Sequence, residues 1–146
     1  MSARIKLFTC ALFVWLCAST PLYGHHGTGI NYDSNIKFSL PAEVVKFRYA
    51  QPHLQIFLNM RKTLEDEESE VVKWACEYVP NIPFLVRQGY SKKIMKAALP
   101  VGAEITVVMS PARSGKPVCL VHKMLSSEGE LIGPDLEKMI MQGSRQ

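Results

Sequence analysis

Apolar and polar positions alternate with a period of two along much of this chain, the signature of half-buried strands. The clearest run is Leu54 to Met60: Leu54, Ile56, Leu58 and Met60 share one face, and Gln55, Phe57 and Asn59 the other. Ahead of it, Ile36 to Tyr49 is a long extended stretch. Pro41 inside that stretch predicts a bend, a bulge or a sheet edge, because proline cannot donate to a ladder. Glu70 to Tyr78 predicts a third strand, with Val72, Trp74 and Cys76 on one face. Ile105 to Met109 and Val118 to Leu125 predict a fourth and a fifth. The turn Glu128-Gly129-Glu130 leads into a short strand at Leu131-Ile132.

Between the third and fourth strands the periodicity changes. Asn81 is placed to cap a short helical turn, with Pro83 near its start and Gly89 at its end. Ser91 is placed to cap another, in which Ile94/Ala98 and Met95/Leu99 have i,i+4 spacing. Gln51-Pro52 and Pro100-Val101-Gly102 are turn signals, and the acidic run Glu65 to Glu68 predicts a solvated hairpin tip rather than a cation site. Three strands, a helical segment and two or three further strands predict a mainly β fold. The expected architecture is a small five- to six-stranded OB-like barrel with a short helical segment between strands 3 and 4. A long, bent first strand suits such a barrel, because it must serve both sheet layers.

The first residues do not belong to this pattern. Arg4 and Lys6 precede an apolar run from Leu7 to Ala18, which Ser19, Thr20 and Pro21 interrupt. This predicts a cleavable signal peptide over residues 1–24. A spanning anchor would need about 20 apolar residues, more than the run supplies. Lipidation at Cys10 or Cys17 is disfavoured by Thr9 and Leu16 before them. The expected organisation is signal peptide 1–24, an irregular Gly/Asn-rich arm 25–35, a barrel domain 36–133 and a C-terminal tail 134–146. Export to the periplasm, with no membrane span after cleavage, is the implied location.

Removing residues 1–24 takes two of the 17 basic residues and none of the 13 acidic ones, leaving 122 residues and a net charge of +2. That length suffices for one hydrophobic core. A balance so close to neutral argues against a nucleic-acid partner, which would require a concentrated basic patch. Cys76 and Cys119 remain of the four cysteines. In an oxidising compartment they are a possible disulfide; two buried thiols, or two thiolate metal ligands, are the alternatives.

Candidate chemistry rests on the histidines. His25 and His26 would open the mature chain, and His53 follows the Gln51-Pro52 turn. Neutral imidazole favours zinc, copper, iron and nickel. A terminal His25 would add its α-amine to its ring nitrogen, and an imidazole from His26 or His53 would complete a nitrogen-rich tetragonal site that favours Cu(II). Zinc is the alternative, with Asp33 or Glu77 supplying a carboxylate. Catalytic residues are not assigned: no Gly-x-Ser-x-Gly elbow or phosphate-binding glycine loop occurs. Trp74, Glu77, Arg87, Tyr90 and Arg113 form a second group, read as a binding surface or as structural residues in which Glu77 pairs with Arg87 or Arg113.

The mature chain resembles a family of small exported bacterial proteins classed as a domain of unknown function. The resemblance is carried by His25-His26, Tyr32-Asp33, Gln51-Pro52-His53, Trp74-Ala75-Cys76-Glu77, Arg87-Gln88-Gly89-Tyr90 and Pro111-Ala112-Arg113, in the family's order and at similar spacings. Gln51 departs from the family's usual Asn, Gly27 from its usual Ser, and the arm is one residue longer. The resemblance implies export, one domain and a small β-barrel, singles out His25, His26 and His53 over His122, and gives no reason to assign an enzyme. Two functional readings lead, ahead of a metal-dependent redox or hydrolytic enzyme, which ranks last. One is an envelope protein that binds copper or zinc. The other is a metal-free module that presents Tyr49, Tyr90, Arg87 and Arg113 to an envelope protein or small molecule.

Overall fold

The computed structural model describes residues 31–136. The expected signal peptide, His25, His26 and most of the C-terminal tail lie outside them. Five strands, β1 (Phe38–Tyr49), β2 (His53–Arg61), β3 (Val71–Asn81), β4 (Glu104–Pro111) and β5 (Val118–Ser126), close a barrel in the order β1-β2-β3-β5-β4. All neighbours run antiparallel except β3 and β5, which are parallel. Two short helices, α1 (Ile82–Arg87) and α2 (Lys92–Ala98), connect β3 to β4. This is the mainly β barrel the period-two pattern predicts, with its helical segment in the expected place.

β1 does serve both halves of the barrel. Phe38 to Glu43 pair with β4, and Glu43 to Tyr49 pair with β2. Pro41 lies in the half that has β4 as its only partner, so its missing N–H costs no ladder bond on the β2 side. The register shift falls further on, between Val44 and Lys46. There the Val44 N–H donates to the Ala103 carbonyl at 2.9 Å, and Val44's own carbonyl accepts from Gly102 N–H at 2.7 Å.

The inward faces meet in one core. Leu54, Ile56, Leu58 and Met60 of β2 face Trp74, Cys76 and Tyr78 of β3, with Ile105, Val107 and Met109 of β4 and Cys119, Val121 and Met124 of β5. Each fully buried aliphatic contributes roughly 1.5–3 kcal/mol by leaving water. The helices add Ile82, Leu85, Met95 and Leu99. Asn81 caps α1, its side-chain oxygen accepting from Phe84 N–H at 2.9 Å, and Ser91 caps α2 through Ile94 N–H at 3.4 Å. Only one of the two i,i+4 pairs in α2 turns inward: Met95 and Leu99 are buried, whereas Ile94 is 50 % exposed. A helix this short presents a single stripe to the core.

The expected sixth strand reduces to one bridge, Leu125 to Leu131. After it the backbone passes close over Tyr78. Gly133 has φ +95°, and a Cβ there would stand 2.6 Å from the Tyr78 hydroxyl oxygen, so glycine is required on both counts.

Candidate functional site

Trp74 and Glu77 are three residues apart on β3, and odd spacing on a strand sends side chains to opposite faces. Trp74 points into the core, 3 % exposed, and its indole N–H donates to the Arg61 carbonyl at 3.1 Å. Glu77 points outward, beside Gln55 of β2 and Leu120 of β5 in the register. Tyr32 lies over this row. It is 6 % exposed, bridges to Ala112, and stands beside the Glu77 side chain. Burial first, then the Glu77 charge, push the Tyr32 phenol above its ordinary range.

The residues next to Tyr32 complete a clasp. Asp33 N–H donates to the Pro111 carbonyl, and Arg113 N–H donates to the Asn31 carbonyl, each at 3.0 Å. The Arg113 guanidinium stands 3.4 Å from the Asp33 carboxylate. That ion pair is half exposed and contributes at most about 1 kcal/mol. Three of the quoted motifs, Tyr32-Asp33, Trp74-x-x-Glu77 and Pro111-Ala112-Arg113, therefore meet at one place and fasten the segment before β1 to the barrel wall. Among the described residues Glu77 makes no ion pair with Arg87 or Arg113; its neighbour is Tyr32, which covers the outer row it stands in. Arg87 is exposed at the end of α1. Tyr90 follows it, its carbonyl accepting from the Tyr49 hydroxyl at 2.9 Å. These two sit at the helical connection, so the five residues of the second group form no single surface.

His53 opens β2 opposite Asn81 and is half-buried. Its Nδ1 lies 3.2 Å from the Tyr78 carbonyl oxygen. A carbonyl only accepts, so Nδ1 carries the hydrogen, which in the neutral ring leaves the Nε2 lone pair free. Asp33 is not brought to His53. Its backbone partner Pro111 is level with Cys119 and so with Cys76, five residues down β3 from Asn81. At a strand's rise that is on the order of 16 Å. Among the described residues no three His, Cys, Asp or Glu side chains form a metal-sized group, so a site at His53 requires ligands from elsewhere in the chain.

His122 carries a second arrangement that no spacing in the sequence signals. Ser110 is fully buried; its hydroxyl donates to the Ile36 carbonyl at 2.9 Å and therefore accepts from His122 Nε2–H at 2.8 Å. This chain ties β5 through β4 to the segment before β1. Burial, and next the charge of Lys37, hold the His122 imidazole below its ordinary pKa of 6.5. The unfolded chain then takes up a proton before the folded one does. The stability that neutral His122 contributes is complete above about pH 6.5 and is lost as pH falls through the depressed folded value. Urea midpoints measured across this range are expected to fall more steeply for the native sequence than for His122→Gln. Equal slopes in the two proteins would remove His122 from the account.

Cys76 and Cys119 are register partners in the parallel β3–β5 pair and form a disulfide, with their Cα atoms 4.5 Å apart.

The fold and the clasp define a small five-stranded barrel with a fastened N-terminal segment. The chain belongs to a family of unknown function (DUF6152), whose model matches residues 14–121. No curated protein and no solved structure matches the chain.

Proposed function

We propose that this protein is an exported barrel that binds a transition metal, copper before zinc, through His53 together with His25 and His26. The observation that carries the reading is the His53 hydrogen bond to the Tyr78 carbonyl at 3.2 Å. Metal-binding histidines commonly donate their other ring N–H to a carbonyl, which fixes the tautomer and the ring and leaves one nitrogen for the metal. Asp33 is engaged by Arg113, and Glu77 is covered by Tyr32. The ligands that remain are nitrogens, a donor set that favours Cu(II) over zinc. The covalent tether suits the reading: His25 lies six positions before Asn31, and such a segment spans up to about 20 Å, comparable with the distance up the sheet to His53.

Electron paramagnetic resonance of the mature protein titrated with Cu(II) tests the proposal. One equivalent is expected to give a nitrogen-rich tetragonal spectrum that changes in His53→Ala and disappears when His25 and His26 are also replaced. A spectrum unaffected by all three replacements overturns it. Intact mass of the exported protein establishes whether His25 is the terminal residue.

A further inference from the structure

Between Glu77 and Glu104 the chain carries four cations, Arg87, Lys92, Lys93 and Lys96, and no carboxylate. All four are exposed. Three of the five exposed large aliphatics among the described residues fall in the same stretch: Val86 at 57 %, Ile94 at 50 % and Val101 at 77 % exposure. α1 packs inward through Ile82 and Leu85, and α2 through Met95 and Leu99. The cations and the three aliphatics occupy what those stripes leave outside. Asn81 and Ser91 cap the two helix starts, so hydrogen-bonding needs of the termini do not explain this composition.

We propose that the α1–α2 connection is a docking face for an anionic bilayer surface. Lysine and arginine heads would stand at lipid phosphates with their aliphatic stems against the interface, and Val86, Ile94 and Val101 would enter the boundary between headgroups and acyl chains. Contact is peripheral, since no helix among the described residues is long and apolar enough to cross a membrane. Glu65, Asp66, Glu67, Glu68 and Glu70 sit in the β2–β3 hairpin, which precedes β3, and the cationic connection follows it. The connection leaves β3 at the end away from that hairpin and then returns toward it: Gly102 N–H donates to the Val44 carbonyl, and Glu104 pairs with Glu43, which pairs with Asn59 near the end of β2. A negative surface therefore favours the Arg87 to Lys96 part of the connection over the turn after Val101, which leads to Glu104 and its partner Glu43. The same hairpin in a second copy of the chain would satisfy the cations, but it is mostly carboxylates and gives the three aliphatics little to bury against. The bilayer is the better fit. This inference does not rest on the metal reading.

Co-sedimentation of the mature protein with phosphatidylcholine vesicles, with and without phosphatidylglycerol, at low and high salt is the test. Binding is expected to phosphatidylglycerol vesicles only, and to weaken with salt. Lys92→Glu, Lys93→Glu and Lys96→Glu together should reduce partitioning at least about tenfold, and Val86→Ser, Ile94→Ser and Val101→Ser should remove the part that survives salt. Thermal midpoints, expected to stay near the native value because every substituted side chain is exposed, check that both variants fold. An equal charge reversal at Lys46, Arg48 and Lys73, exposed on β1 and β3, should leave most binding intact. Three results would overturn the proposal: no preference for phosphatidylglycerol, an equal loss in the β1–β3 variant, or lipid-independent self-association that the Lys92, Lys93 and Lys96 reversal abolishes.

Discussion

Trp74→Ala is expected to lower the free energy of unfolding by about 3–5 kcal/mol, the range for emptying a buried tryptophan site. Trp74 is 3 % exposed within the barrel core, and its side chain does two things there. The ring fills the space between β2 and β3, and the indole N–H satisfies the Arg61 carbonyl where β2 ends. Alanine removes both, leaving a cavity and an orphaned acceptor. Trp74→Phe separates the two, keeping most of the apolar volume and losing the hydrogen bond, with an expected cost of about 1–3 kcal/mol. A small domain has only about 5–15 kcal/mol in total, so the alanine protein should populate the unfolded state measurably near body temperature. Urea unfolding followed by circular dichroism is the appropriate probe. With residues 1–24 removed, Trp74 is the one remaining tryptophan, and its fluorescence is lost in both variants. If Trp74→Ala cost no more than Lys73→Ala next to it on the exposed face, the packing account would be wrong.

That contrast between neighbours on β3 shows what the sequence makes legible. Alternation at Leu54 to Met60 and at Trp74 and Cys76 announces which side chains face inward, because a strand permits only two faces. The caps Asn81 and Ser91 announce the helices because the interaction is local. The clasp was not legible. Tyr32 sits in a Gly/Asn-rich stretch that gives no strand signal, and its partners Glu77 and Ala112 lie 45 and 80 residues away in sequence. Only the closed barrel, which carries the end of β4 past the start of β1, brings them together. The neighbour of Glu77 is hidden for the same reason: charge complementarity points to arginine, whereas Tyr32 covers the outer row of β3. The family resemblance passes over His122, and nothing in the sequence links it to Ser110, its partner. At His53 the turn before it and its place at the head of a strand were readable, while the Tyr78 carbonyl that fixes its ring was not. The β3–β5 pairing is likewise invisible locally, since parallel neighbours are joined by a long crossover.

Reduction of the Cys76–Cys119 disulfide is expected to destabilise the protein by about 2–4 kcal/mol and to lower the thermal midpoint by roughly 10 °C. The sequence separation of 43 residues sets the scale, because the bond removes closure freedom from the unfolded chain and the effect grows with loop length. The enclosed segment contains the whole helical connection and β4, so the bond links the strands on either side of the crossover that the parallel pairing requires. Both cysteines are buried in the core, and as free thiols they would remain small apolar side chains facing each other. The reduced protein should therefore keep its barrel and lose stability rather than fold. Thermal unfolding with and without reductant, with thiols counted after denaturation, measures this. Cys76→Ala with Cys119→Ala should be low in midpoint and indifferent to reductant. A chain made without its first 24 residues in a reducing cytosol should start at the lower midpoint and rise on oxidation. Equal midpoints before and after a verified reduction would show that the crossover needs no such constraint.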